Sequence, residues 1–74
     1  MTFDVVLSSI NDVKNFVNIV SKYDYEIDLA SGRYVVDAKS IMGIFSLDLS
    51  KPITVEIHSE NCADLAGELK PFAV

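Results

Sequence analysis

The 74-residue sequence predicts an α+β domain in which helices lie on one face of a mainly antiparallel, four-stranded sheet. Half of the residues are apolar and they are spread along the chain, which indicates one compact core rather than a disordered segment. Segments with apolar residues at every second position alternate with segments in which they recur every three or four positions. The resulting order is β-α-β-β-α-β-α, and we expect a single domain over residues 1–74.

The chain begins with a predicted strand and the longest predicted helix. Apolar residues alternate over residues 3–7, which is typical of a strand with one buried face. Ser9, with Asp12 three positions later, resembles a capping box and predicts that a helix begins there. The apolar side of this helix is expected to contain Ile10, Val13, Phe16, Val17, Val20 and, at its end, Tyr23.

The middle of the chain predicts a hairpin and then a short helix. Two β-rich segments, residues 25–29 and 34–36, flank a Ser-Gly turn at residues 31–32. From Ser40 the apolar spacing becomes helical, but the segment is short and contains Gly43, which costs about 1 kcal/mol relative to alanine. We therefore expect packing, rather than intrinsic propensity, to hold this helix.

The last third predicts a strand and a weak helix. A Lys-Pro break at residues 51–52 precedes alternating apolar residues over 53–57. Asn61 is expected to cap the final helix, which must end before Pro71. The apolar side of that helix would consist of Ala63, Leu65, Ala66 and Leu69.

Composition excludes several classes of protein. Eleven acidic and six basic side chains give a net charge of −5, which repels a nucleic-acid backbone. Cys62 is the only cysteine, so an intramolecular disulfide and the usual four-ligand zinc site are impossible, and a reducing compartment fits best. The start of the chain has no basic signal-peptide region, and no apolar run approaches the roughly 20 residues that span a bilayer. We expect a cytoplasmic monomer with no cofactor or metal and no nucleic-acid or membrane partner.

One segment resembles a known family. Residues 37–47 read Asp-Ala-Lys-Ser-Ile-Met-Gly-Ile-Phe-Ser-Leu and resemble the K-S-I-M-G-x-x-S-L stretch of HPr, the histidine-containing phosphocarrier of the bacterial phosphotransferase system. Residues 17–29 resemble the family's first helix and second strand at the same spacing, and the likeness extends over residues 3–59. It implies an HPr-like open-faced sandwich, whose element order agrees with the one predicted from periodicity.

The resemblance also implies that the family's active site is degenerate here. In HPr, a histidine followed by Arg and Pro begins the first helix, where backbone amides and the helix dipole can hold a phosphoryl group. Alignment without gaps from Ser21 places Ser9 at the histidine position, Asn11 at the Arg position and Asp12 at the Pro position, after a shorter loop. A phosphoserine ester is too stable to pass phosphate on, and Asp12 would repel an incoming phosphate. We therefore predict a protein that does not carry phosphate on histidine.

The short helix that starts at Ser40 is the second implied site. Ser40 corresponds to the serine that a dedicated kinase phosphorylates in the HPr proteins of many Gram-positive bacteria; the alternative is that it is only an N-cap. Ile41, Met42 and Phe45 correspond to the family's docking surface for partners, and the alternative is that they and Ile44 are all core residues. The implied partners are phosphotransferase-system enzymes, HPr kinase or a transcriptional regulator.

Two other hypotheses remain open from the sequence. The first is a ferredoxin-like module that binds a small molecule or regulator and has no phosphotransferase role. The second is an enzyme that uses His58 or Cys62. His58 lies on the polar side of a strand end without a catalytic partner at a recognisable spacing, and we expect Cys62 to be a buried or half-buried residue without a role. We therefore predict that the chain is not an enzyme.

Overall fold

The computed structural model describes all of residues 1–74 and contains four strands, three α-helices and a terminal 3₁₀ turn. In chain order these are β1 (Thr2–Val5), α1 (Ile10–Val20), β2 (Ile27–Ser31), β3 (Tyr34–Asp37), α2 (Ile41–Phe45), β4 (Ile53–Ile57), α3 (Ala63–Glu68) and the 3₁₀ turn (Lys70–Phe72). The predicted order β-α-β-β-α-β-α is confirmed. None of the helices has the length and apolar character needed to cross a membrane.

The four strands form one antiparallel sheet in the order β1-β4-β2-β3. Phe3, Val55, Leu29 and Val36 lie opposite one another in successive strands, so a row of apolar side chains crosses the face that the helices cover. β4 lies between β1 and β2, the two strands that α1 connects, which is a split β-α-β arrangement. The prediction of an antiparallel sheet with helices on one face is confirmed.

The helices contribute unequally to the core. Sixteen buried residues form one cluster, and none of them is polar or charged. α1 buries Val13, Phe16 and Val20, whereas α2 buries only Ile44 and α3 only Leu65 within their helical spans. Because full burial of such a side chain stabilises the fold by about 1.5–3 kcal/mol, α1 is anchored much more strongly than α2. The other four residues of α2 all keep some exposure to solvent.

Local predictions were wrong at three helix positions. Ile10 is 62% exposed, because α1 enters the core only one turn later, at Val13. Cys62, not Asn61, precedes α3, and its side chain makes no capping hydrogen bond. Ala63 is exposed, because α3 turns its larger leucines toward the core instead.

Candidate functional site

The N-terminus of α1, where the resemblance places a phosphoryl site, is capped by side chains of its own segment. Ser9 has extended backbone angles (φ −138°, ψ 163°), and its Oγ accepts a hydrogen bond from the Asp12 amide at 3.1 Å. The Asp12 carboxylate accepts hydrogen bonds from the Ser8 amide at 3.2 Å and the Ser8 hydroxyl at 3.1 Å. The capping arrangement is therefore present, although the carboxylate returns to Ser8 rather than to Ser9. A fixed negative charge occupies this helix end, where the dipole stabilises it.

The N-terminus of α2 is also capped by a serine, and the Asp37 carboxylate accepts the amide of Lys39, the residue before this cap. Ser40 is exposed, and its Oγ accepts a hydrogen bond from the Gly43 amide at 3.3 Å. Its own amide donates to the Asp37 carbonyl at 3.0 Å, which joins the helix to the end of β3. The first turn of α2 contains no acidic residue. The Ser40 hydroxyl therefore faces solvent with no carboxylate bonded to it.

Gly43 lets α2 approach the sheet closely. A Cβ atom at this position would lie 3.2 Å from the Val36 Cβ and 3.3 Å from the Ser40 Oγ, tighter than most real Cβ contacts. The glycine lowers the helix propensity of α2, but it permits a close contact between α2 and β3. This explains why a helix of only five residues contains glycine and still packs.

Three apolar residues of α2, which we call the α2 surface, are Ile41, Met42 and Phe45. Met42 is 78% exposed, Phe45 is 41% exposed and Ile41 is half-buried, whereas Ile44 is fully buried. The alternative in which all four residues are core is therefore wrong. Exposed methionine and aromatic side chains are a source of adaptable apolar contacts, and the α2 surface presents two of them to solvent.

Lys39, the lysine of the resembling motif, has an anchoring position that the sequence did not predict. Its Nζ donates a hydrogen bond to the Tyr23 carbonyl at 2.5 Å, and its amide donates to the Asp37 Oδ1 at 2.9 Å. The first bond ties the start of α2 to the segment that follows α1. The lysine stem and charge therefore position the Ser40 end of α2 relative to the rest of the fold.

Tyr23 also takes part in a polar cluster that connects the end of α1 with α3. Its hydroxyl donates a hydrogen bond to the Glu68 carboxylate, which forms an ion pair with Lys22 at 2.8 Å. The hydrogen bond to Glu68, aided by burial, raises the pKa of Tyr23 to about 12. The bond from Lys22, followed by the bond from Tyr23, lowers the pKa of Glu68. This cluster helps to dock the short α3 onto the helix layer.

His58 lies at the end of the sheet opposite to the N-terminus of α1. It follows β4, whereas the loop into α1 follows β1, whose last residue, Val5, pairs with Ile53 at the start of β4. The His58 Nε2 is 2.8 Å from the Asp28 carboxylate, and its Nδ1 is 3.8 Å from the Glu56 carboxylate. The hydrogen bond with Asp28 raises the pKa of His58. The structure therefore places the one histidine among carboxylates and away from the Ser9 position.

Cys62 is 2% exposed, as expected for a buried residue. Its Sγ lies 3.6 Å from the Met1 Sδ and 3.5 Å from the Ser59 carbonyl oxygen. No group of three or more His, Cys, Asp and Glu side chains is arranged to hold a metal ion. The thiol thus fills space between the chain start and α3.

Comparison with known proteins extends these observations to the whole chain. No curated protein sequence matches it. Among solved structures, HPr-C-His from Thermoanaerobacter tengcongensis is 25% identical, with a TM-score of 0.73 over 93% of this chain and 86% of that one. The phosphocarrier protein HPr from Bacillus anthracis str. Ames is 22% identical, with a TM-score of 0.74 over 100% and 94% of the two chains, which is a likeness of fold.

The matched folds confirm the HPr-like open-faced sandwich and do not support the ferredoxin-like alternative. A family model described as "PTS HPr component phosphorylation site" matches residues 11–68. This match spans most of the chain and includes the Ser40 motif and the α2 surface. The chain therefore belongs to the HPr family of the bacterial phosphotransferase system.

Proposed function

We propose that this HPr-family chain does not relay phosphate on histidine, and that it binds phosphotransferase-related proteins through the α2 surface under the control of Ser40 phosphorylation. The observation that carries the proposal is the contrast between two helix ends. The α1 end has no histidine and carries Asp12 in its first turn, whereas the α2 end has the exposed Ser40 hydroxyl and no acidic residue in its first turn.

The chemistry of the α1 end supports the first part of the proposal. A relay needs a phosphoramidate, because the P–N bond of phosphohistidine is reactive enough to pass its phosphoryl group to the next protein. A phosphate ester on Ser9 would be too stable to be passed on. The Asp12 carboxylate would also lie beside such a group and repel it.

His58 is a poor substitute for the missing histidine. Its ring nitrogens face the carboxylates of Asp28 and Glu56, and an incoming phosphate would meet both negative charges. Cys62 is buried and equally unsuited to act as a nucleophile. We infer that the chain is not an enzyme.

The α2 surface supports a binding function. Met42 and Phe45 expose apolar area on a helix whose opposite side is anchored by Ile44, so a partner can bury this area without unfolding the domain. The proposed partners are phosphotransferase-system enzymes, HPr kinase or a transcriptional regulator, each binding the chain as a monomer. Such partners place the chain in the cytoplasm.

Ser40 is suited to control this binding because it directly precedes the α2 surface. Its hydroxyl is exposed, so a kinase can reach it. A phosphate would add about two negative charges and three acceptor oxygens beside Ile41. The Ser40 oxygen can still accept the Gly43 amide after phosphorylation, so the helix is retained while the charge of the docking surface changes.

The proposal is tested by incubating the protein with HPr kinase and ATP, and separately with phosphoenolpyruvate and the first enzyme of the phosphotransferase system. Intact mass and site mapping are recorded for the wild type and for Ser40→Ala. We expect an acid-stable phosphate on Ser40 from the kinase, none on the alanine variant, and none from phosphoenolpyruvate. An acid-labile adduct from phosphoenolpyruvate would overturn the non-carrier part of the proposal. Absence of kinase-dependent phosphate would overturn the regulatory part.

A further inference from the structure

Some of the Lys and Arg side chains of this acidic protein have a bonding partner and others have none. Of its six basic side chains, Lys22 pairs with Glu68 and Lys39 bonds to the Tyr23 carbonyl. The other four form no ion pair and no side-chain hydrogen bond: Lys14, Arg33, Lys51 and Lys70. Arg33 and Lys51 are the two of these four that line the same cavity.

This cavity, which we call the turn cavity, has a volume of about 450 Å³ and lies between the β2–β3 turn and the loop from α2 to β4. Its polar lining consists of Ser31, Arg33, Tyr34, Ser46, Asp48 and Lys51. The size is within the range of about 300–1,000 Å³ that is usual for small-molecule sites. Two cationic residues and three hydroxyl-bearing residues therefore line an open depression large enough for a small metabolite.

The turn that carries Arg33 is well defined. Ser31 pairs with Tyr34, so Gly32 and Arg33 alone form the loop of the hairpin. Gly32 has φ +59°, a left-handed conformation that glycine adopts without strain. The backbone at Arg33 is thus fixed by the neighbouring strands, so ligand binding does not have to order this loop.

The charges in the turn cavity favour an anion. Arg33 and Lys51 both line this space, so an anion bound there would be attracted by both charges. A guanidinium can donate two parallel hydrogen bonds to a phosphate, and an ammonium can neutralise a second charge. A doubly charged phosphate therefore fits this pair better than a neutral sugar does.

Asp48 is the one acidic residue in the lining, and its carboxylate is engaged within its own turn. Its Oδ1 accepts hydrogen bonds from the Ser50 amide at 3.1 Å and the Ser50 hydroxyl at 2.5 Å. These bonds, together with the charge of Lys51, lower the pKa of Asp48, so it is ionised at neutral pH. Two positive charges against one negative charge still leave the cavity lining positive in a protein of net charge −5.

We propose that the turn cavity binds a small phosphate-bearing molecule, with Arg33 and Lys51 as its cationic ligands. The phosphate group is the recognised chemistry, and its source is either a phosphorylated sugar or free phosphate. This inference goes beyond the proposed function, because it involves neither the Ser40 hydroxyl nor the α2 surface.

The test is an amide NMR titration at about pH 7.5 and constant ionic strength with glucose 6-phosphate, inorganic phosphate and glucose as separate probes. We expect saturable shifts of the Gly32, Arg33 and Lys51 amides with the two phosphates and none with glucose. Tighter binding of glucose 6-phosphate would identify the sugar phosphate as the source, and equal binding would identify phosphate alone. Shifts that do not saturate, or equal shifts with glucose, would overturn the proposal.

A matched pair of double variants separates a site from general charge attraction. Arg33→Gln/Lys51→Gln and Lys14→Gln/Lys70→Gln each lower the net charge from −5 to −7, and all four residues are exposed, so folding should be retained and is checked by thermal unfolding. We expect the first pair to weaken phosphate binding by about tenfold or more and the second by less than about twofold. Equal weakening by both pairs would show that the cavity has no specific role.

Discussion

The N-termini of α1 and α2 begin in the same way and then differ. The Ser9 Oγ accepts the Asp12 amide at 3.1 Å, and the Ser40 Oγ accepts the Gly43 amide at 3.3 Å. In α1 the residue that donates this amide is acidic and its carboxylate bonds back to Ser8, whereas in α2 it is glycine. A serine cap is thus common to both ends and both serines are exposed, but only α1 has an acidic residue in its first turn. The charge within the first helical turn, rather than the cap or its exposure, distinguishes the two ends.

The largest expected effect comes from rebuilding the α1 end. Ser9→His combined with Asp12→Ala supplies an imidazole and removes the carboxylate that repels phosphate, so we expect an acid-labile adduct from phosphoenolpyruvate where the wild type forms none. Ser9→His alone should react about fivefold more slowly, since a unit charge at about 4 Å in water contributes about 1 kcal/mol. Intact mass after timed incubation with the first phosphotransferase enzyme measures both rates. Equal rates for the two variants would show that Asp12 does not block this end.

The α2 end can be tested through its exposed methionine. Met42→Ala removes a side chain that is 78% exposed, so it should weaken docking without unfolding the domain. We expect kcat/KM for Ser40 phosphorylation by HPr kinase to fall about tenfold. This corresponds to the loss of about 1.4 kcal/mol of binding free energy at an interface. Val35→Ala is the matched control, because Val35 is 64% exposed but lies on β3. A similar loss in the control would remove the assignment of docking to the α2 surface.

Stability offers a finer comparison of the two caps. Ser9→Ala and Ser40→Ala each remove a hydroxyl that accepts a backbone amide, and each should lower the free energy of unfolding by about 1 kcal/mol. We expect the larger loss for Ser9, because α1 buries three core side chains and its loosening affects the whole core. Thermal unfolding should show a decrease in Tm of about 4–8 °C per kcal/mol. A larger decrease for Ser40→Ala would mean that α2 contributes more to the fold than its single buried residue indicates.

The smallest expected effect lies away from both helix ends, at His58. Its pKa is raised above the unfolded value of 6.5, first by the hydrogen bond with Asp28. The stabilisation is therefore fully present below pH 6.5 and is lost as the pH rises through the folded-state pKa. The Tm difference between wild type and His58→Gln should be larger at about pH 5.5 than at about pH 9. A difference that does not change with pH would show that the charge on His58 does not stabilise the fold, and kinase phosphorylation of Ser40 should be unaffected by this variant.

Local sequence features predicted most of the fold. The alternation of apolar residues in 53–57 and the helical spacing from Val13 to Val20 correspond to β4 and α1. The capping role of Ser9 was also predictable, because a cap depends on residues only three positions apart. The position of Ser40 at a helix start followed from the same kind of local signal.

The sequence by itself therefore determined the order of the elements, the acidic character of the chain and the absence of a histidine at the Ser9 position. Only the tertiary structure decided that Ile44 is buried while Met42 of the same helix is exposed, since both are apolar and lie two positions apart. It also decided that Lys39 bonds the Tyr23 carbonyl and that Arg33 and Lys51 face one cavity. Periodicity and capping depend on near neighbours in the chain. Exposure and charge clustering depend on which distant segments the packed core brings together.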